Sequence, residues 1–244
     1  MGRTNYKLIL SYDGTNYYGY QKQLKFITVQ SVLENALFKV TKKKIHTISA
    51  SRTDKGVHAE GQVVSFQTDF LIPPDILKKS LNKIMPCDIL VVDIEILSHD
   101  FHARYHTKSK IYKYVFSKKE LNPFDCRFQV YLKDIDFSLI KEALHLIAGE
   151  KNFILFTSNK DIKKSTIKYI YKVFFEETKE QFLLFFHGKG FLKQMILLLV
   201  GFLIYIGQRK KSLLDFQDML NVKNNKRFTF AAPSNGLFLQ KIFY

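Results

Sequence analysis

Apolar and polar residues alternate along "YKLILSYDG" (6–14), the period of a strand with one buried face, and the run ends at the turn pair Asp13-Gly14. In "TVQSVLENALFKV" the period changes: Val32, Leu33, Ala36, Leu37 and Val40 fall on one face of a helix. Ser31 and Glu34 suit a capping box at its start, with Thr28 as a rival cap. "HTISAS" and "GQVVSFQT" read as strands, "PDILKKSLNKIM" as a helix entered through Pro74, and "ILVVDIEIL" as a strand. The first half is thus β-α-β-β-α-β. The second half repeats the order: strand "KIYKYVFS", helix "FSLIKEALHLIAG" stopping at Gly149, strands "STIKYIYKVFFEE" and "QFLLFFHG", and the apolar helix "FLKQMILLLVGFLIYIG". A short helix "SLLDFQDML" and a last strand "GLFLQKIFY" follow. There is no sequence repeat of fixed period. The pattern predicts an α+β protein of two ferredoxin-like lobes, 1–106 and 107–244. Their sheets are expected side by side, with helices behind and a cleft along the sheet.

A chain of 244 residues, 46% hydrophobic, is long enough for two such cores. The net charge of +16 makes a polyanion the plainest partner. Lysine supplies 32 of the cations and arginine only 6, a skew that an AT-rich genome produces without any nucleic-acid partner. Each arginine is correspondingly more informative. The basic runs "KKK" (Lys42–Lys44) and "QRKK" (Gln208–Lys211) read most simply as solvated faces and, with an RNA partner, as phosphate contacts. Cys87 and Cys126 lack CxxC spacing, so neither a disulfide framework nor a zinc site is expected, and a reducing cytoplasm fits. The first residues lack the apolar core of a signal peptide. The longest apolar run, Met195 to Ile206, falls well short of the roughly 20 residues of a membrane span and reads as a buried helix. His99, His102 and His106 are spaced for a metal site on a helix, but no cysteine or second cluster supports one, and no metal is expected. No dinucleotide or P-loop signature is present, so no cofactor is expected, and the clustered carboxylates of a metal-dependent nuclease are missing.

The densest chemistry lies in "SASRTDKGVHAEGQVVSF" (49–66), where a turn between two strands carries Arg52, Asp54, Lys55, Gly56 and His58. Gly56 can supply a positive φ or a close backbone approach. An aspartate in a turn commonly bonds its own backbone amides. Set among cations it also stays ionised, and an ionised carboxylate is a nucleophile. Spacing alone leaves open which bond it would attack.

This stretch resembles the GRTDxGVHAxGQV signature of the tRNA pseudouridine synthase A family. Four further segments resemble it in the right order: "YDGTNYYGYQKQ" with "TVQSVLENAL", "DFHARYHTKSKIYKYVF", "GKGFLKQMILLLVG" and "SNGLFL". Together they span the whole chain. The resemblance implies an enzyme that isomerises uridine to pseudouridine in the anticodon stem-loop of tRNA, working as a homodimer with one tRNA across both subunits. It makes Asp54 the catalytic carboxylate and Arg52 the residue that braces the phosphate backbone or fills the vacated stack. Tyr112 would stack on the flipped base and help remove its proton. Substrate binding is implied for Arg104, Lys110, Lys193 and Leu237, and for His58, whose alternative role is to brace the loop.

Three positions depart from the family pattern. Tyr20 stands for the usual tryptophan and Ser51 for the usual glycine. Leu197 falls where the family carries the arginine expected to pair with the catalytic aspartate. Lys193, one turn earlier on the same predicted helix face, or Arg52 would then supply that cation. The remaining reading is a non-catalytic tRNA-binding protein or RNA chaperone on the same fold.

Overall fold

The structure, a computed structural model, describes residues 4–159, 165–223 and 226–244. It is α+β, and the chain forms two compact units. One comprises the residues up to Lys108 together with Phe238–Tyr244; the other is Ser109–Leu237.

The first unit contains β1 (Thr4–Tyr12), α1 (Val29–Thr41), β2 (Ile48–Ser49), β3 (His58–Thr68), α2 (Pro74–Ile84) and β4 (Ile89–Leu97). Its sheet runs β4-β1-β3, with the two-residue β2 also on β3. β1 is antiparallel to both neighbours and buries Tyr6, Leu8 and Leu10 completely. Leu33 and Leu37 of α1 and Leu77 and Leu81 of α2 are buried with them, all 0–1% exposed, and α2 packs on β4. Thr28 caps α1 in a box with Ser31, because Thr28 is the last extended residue (φ −134°, ψ 155°). Glu34, expected in that box, instead lies inside the helix and accepts from the Thr47 amide at 3.0 Å. Pro74 opens α2 as the sequence predicts. The register slips once on each side of β1, between Leu10 and Tyr12 against β3 and between Ile9 and Leu10 against β4. Such bulges bend a strand and re-aim the residues beyond its end; here those form the Asp13-Gly14 turn.

The last strand, β10 (Leu237–Phe243), read in sequence with the second lobe, runs parallel to β3 through Phe238–His58 and Leu239–Ala59. Gly61 permits the approach, since a Cβ there would lie 2.7 Å from the Gln240 carbonyl oxygen.

The second unit has β5 (Ser109–Ser117), β6 (Val130–Tyr131), α3 (Phe137–Ala143), β7 (Gly149–Asn152), β8 (Ile167–Glu177), β9 (Gln181–Gly188), α4 (Met195–Gly207) and α5 (Leu213–Leu220). Its sheet order is β5-β9-β8-β7, with β6 parallel to β5. The helix expected to reach Gly149 tightens into a 3₁₀ turn at Leu144–Leu146, and Gly149 (φ 94°) begins a strand. α4 has twelve of its thirteen residues buried, the signature of a helix apolar all round. Gly201 lets the Phe230 carbonyl reach its backbone; a Cβ there would lie 2.0 Å from that oxygen. Phe156, Phe202, Phe216 and Phe228 fill the space around α4 and α5. Among the described residues, no helix is long and apolar enough to cross a membrane.

Candidate active site

The loop from Ser51 to Val57 joins β2 to β3 and is irregular, so something other than ladder bonds must fix it. Side chains and neighbouring backbone do so at successive residues. The Gln62 amide clamps Ser51 at both ends: its Nε2 donates to the Ser51 carbonyl at 2.7 Å and its Oε1 accepts from the Ser51 N–H at 3.2 Å. Thr53 Oγ1 lies 2.8 Å from the Tyr12 hydroxyl, and the Thr53 carbonyl accepts from the Tyr20 N–H at 3.1 Å. Burial pushes the Tyr12 phenol up to about 12, so it stays protonated and able to donate. The Asp54 carbonyl accepts from the Val57 N–H at 3.2 Å, closing a turn with Gly56 at φ 75°, the positive φ anticipated there. The Gly56 N–H in turn donates to the Tyr17 carbonyl at 3.3 Å.

Two glycines of "YDGTNYYGYQ" bring this second layer close. A Cβ on Gly14 would lie 2.1 Å from the Val57 carbonyl oxygen. One on Gly19, itself at φ 85°, would lie 2.5 Å from the Thr53 oxygen and 3.2 Å from the Asp54 carbonyl carbon. The loop is therefore held between β1 and the 14–20 segment. It leaves Arg52 exposed and Asp54 half-buried, while Ser51 and Thr53 point inward.

His58 is 1% exposed, stacked on Phe238 at 4.7 Å, and its Nδ1 accepts from the Gly14 N–H at 3.0 Å. The same nitrogen lies 3.1 Å from Asp13 Oδ1, and the ring's protonation selects which neighbour it bonds. A ring so enclosed presents no free edge to RNA. Direct substrate contact by His58 gives way to its alternative role of bracing the loop.

Arg104 stands half-buried in the segment after β4. That segment is tied to β3 by the Ala103 N–H donating to Ser65 Oγ at 3.1 Å. Arg104 lies close enough to Arg52 that burial, and then the neighbouring positive charge, hold the Arg52 guanidinium below its ordinary range.

The other predicted residues belong to the second unit. Tyr112, in the middle of β5, is 7% exposed and meets Phe191 edge-on at 5.3 Å. Lys110 lies on the same strand, paired with Gly188. Leu237 is 4% exposed and follows the Ser234–Gly236 turn. Lys193 is exposed, and its carbonyl accepts from Thr157 Oγ1 at 3.1 Å. It does not share a helical face with Leu197: α4 begins at Met195, and Gln194, at φ 56°, separates the two. Helical spacing therefore does not carry Lys193 to the place of the missing arginine. Leu197 is buried, 3% exposed, within α4. His99, His102 and His106 lie outside any helix, so nothing aligns them on one helical face. Among the described residues, no group of three His, Cys, Asp or Glu side chains is disposed to hold a metal.

Sequence reasoning missed Tyr12, Thr53, Gly19 and Gln62 as parts of the site. The signal for Gln62 was present in the "GQV" of the motif, whose long amide has no use on an ordinary strand face.

Fold and loop together define an α+β protein that presents a half-buried carboxylate on a pinned loop, with Arg52 two residues before it. The family described as tRNA pseudouridine synthase matches residues 8–106 and 143–244. The chain is 56% identical over 241 residues to tRNA pseudouridine synthase A of Phytoplasma mali (strain AT), covering 98% of each. It is 52% identical to that of Onion yellows phytoplasma (strain OY-M), again over 98% of each. With that of Clostridium botulinum (strain Eklund 17B / Type B) identity is 37%, over 98% of this chain and 99% of the relative. The chain belongs to the tRNA pseudouridine synthase family and is an isomerase. Full-length similarity to named synthases leaves the non-catalytic reading without support.

Proposed function

We propose that this enzyme isomerises uridine to pseudouridine in the anticodon stem-loop of tRNA, with Asp54 as the attacking carboxylate. In the net reaction the bond from N1 to the ribose C1′ breaks and a bond from C5 to C1′ forms. C5 loses its hydrogen and N1 gains one. Atoms balance without a redox partner or group donor, and the reaction calls for no cofactor or metal. Asp54 makes the covalent attack, on base or sugar, that holds the pieces together while the base turns. Arg52 and Arg104 take the phosphate backbone around the flipped nucleotide, and Tyr112 stacks on its base and assists removal of the C5 proton. Lys110, Lys193 and Leu237 complete substrate binding. With the helical route from Lys193 removed, Arg52 takes over from the arginine that Leu197 displaces. The protein works in the cytoplasm as a homodimer, for which light scattering should give twice the chain mass.

The observation that carries this reading is the pinning of the Asp54 loop at Ser51, Thr53, Asp54 and Gly56. A turn of purely structural use needs no such second layer, whereas a nucleophile must be held within a fraction of an ångström. Transfer-RNA labelled with tritium at uridine C5 tests it. The enzyme should release the label to water in the presence of EDTA. No release, with folded protein, would refute the catalytic assignment.

A further inference from the structure

Beside the Asp54 loop, the segment from Tyr18 to Ile27 displays an aromatic stack to solvent. The rings of Tyr18 and Phe26 lie 4.0 Å apart and 12° from parallel, and the residues are 39% and 43% exposed. Lys55 places its ammonium 4.2 Å from the centre of the Tyr18 ring. The stack is fixed from below. The Tyr18 N–H donates to the Ile27 carbonyl at 3.0 Å, and Gln23 Nε2 donates to the Tyr18 carbonyl at 2.9 Å. Leu24 and Ile27 add exposed apolar surface.

An exposed patch of this kind is a binding surface by default. Its charge decides for what. Residues 18–27 contain Lys25 and no acid, and Lys55 adds a second cation; the segment's Lys22 is engaged by Glu34 at 3.2 Å. Stacked rings flanked by ammonium groups suit nucleobases and their phosphates, while a protein interface of this apolarity would be depleted in lysine. Position points the same way. Lys55 directly follows Asp54, and Gly19, directly after Tyr18, packs on the Thr53–Asp54 backbone.

We propose that the Tyr18–Phe26 stack with Lys55 is a nucleobase-binding subsite that takes a nucleotide flanking the target uridine, an inference that rests on the tRNA reading above. Extruding the uridine leaves a neighbouring base without its stacking partner. The platform supplies a replacement, tolerant of sequence because every base has a π-face, and Lys55 supplies the phosphate contact.

The test is tRNA affinity, measured across a salt series for the wild type, Phe26→Leu, Phe26→Trp and Lys55→Ala, with light scattering of each RNA-free protein. Phe26 is half exposed, so Leu keeps the fold, which a thermal melt checks. Phe26→Leu should weaken binding about tenfold without changing the salt slope, and Phe26→Trp should restore it. Lys55→Ala should reduce the slope by about 0.7–0.9. Wild-type affinity in Phe26→Leu overturns the subsite alone. So does a loss of oligomeric state in Phe26→Leu, which would make the patch a contact between copies of the chain. Failure of the wild type to bind tRNA overturns both the tRNA reading and the subsite.

Discussion

The hydroxyl of Tyr12, the last residue of β1, lies 2.8 Å from Thr53 Oγ1, one residue before Asp54. The Gln62 amide reaches the same phenol at 3.4 Å. The three side chains are buried, so the bond ties the sheet to the loop where water cannot substitute. Tyr12→Phe should cost about 1–2 kcal/mol of stability, since it leaves Thr53 without its buried partner. The rate of pseudouridine formation should fall further than that loss of stability explains, because the loop loosens. Urea unfolding and single-turnover kinetics read the two effects separately.

Gly19 and Gly149 both have positive φ, at 85° and 94°, but only Gly19 faces an obstacle. Gly149→Ala meets nothing within 4 Å and should cost about 1–2 kcal/mol from backbone strain alone. Gly19→Ala adds a Cβ that would lie 2.5 Å from the Thr53 oxygen, so it must displace the Asp54 loop. Its melting temperature should fall more than that of Gly149→Ala, and it alone should lose most activity. Equal activity in the two variants would show that the loop tolerates displacement.

Glu34 gives the protein an acid-sensitive point. Desolvation opposes its ionisation, but donation from the Thr47 amide, Gln30, Lys22 and the Thr47 hydroxyl outweighs it and holds the carboxyl below its ordinary range. His46 Nδ1 also lies 3.5 Å from its Oε1. A folded pKa below the unfolded one means that the unfolded chain binds more protons in between. The stabilisation is present above the unfolded value of about 4.3 and is lost as pH falls through the folded one. Glu34→Gln should therefore be less stable than wild type at neutral pH, with the gap narrowing below about pH 4. Chemical denaturation at a series of pH values, from about pH 3 to about pH 7, measures it.

Binding to tRNA should depend steeply on salt. With about five phosphates neutralised, affinity should fall a few hundredfold between ~50 and ~200 mM salt. Arg52→Ala and Arg104→Ala should each lower the slope by about one contact. Filter binding across the series checks both.

Much of this was legible in the sequence because the relevant signals are local. The alternation in β1, the helical period of α1 and Pro74 at the start of α2 read directly as elements. Asp54 and Arg52 stood out because the turn sets a carboxylate among cations, and Gly56 because a positive φ favours glycine. What escaped depends on contacts far apart along the chain. β10 was read with the strands nearest it in sequence, whereas pairing with β3 turns on Gly61 meeting Gln240, a matter of space that periodicity does not carry. The cap of α1 fell to Thr28 because Glu34 had a better partner in Thr47, thirteen positions away. The start of α4 falls at Met195, where the apolar run begins, because Gln194 is left-handed; Lys193 and Gln194 belong to the preceding turn and not to the helix. For His58 the sequence left loop bracing and RNA contact both open, because its enclosure by Phe238 and Gly14 comes from residues distant in the chain.

Asp54 is proposed as the nucleophile of this tRNA pseudouridine synthase. The measurement that tests it most directly maps pseudouridine by carbodiimide-dependent reverse-transcription stops in unmodified tRNA. The tRNA is treated with wild type or with Asp54→Asn, EDTA present throughout. Stops in the anticodon stem-loop with wild type, and none with Asp54→Asn that still binds tRNA, are the predicted result. Equal stops with both proteins, or none with either while tRNA is bound, would contradict it.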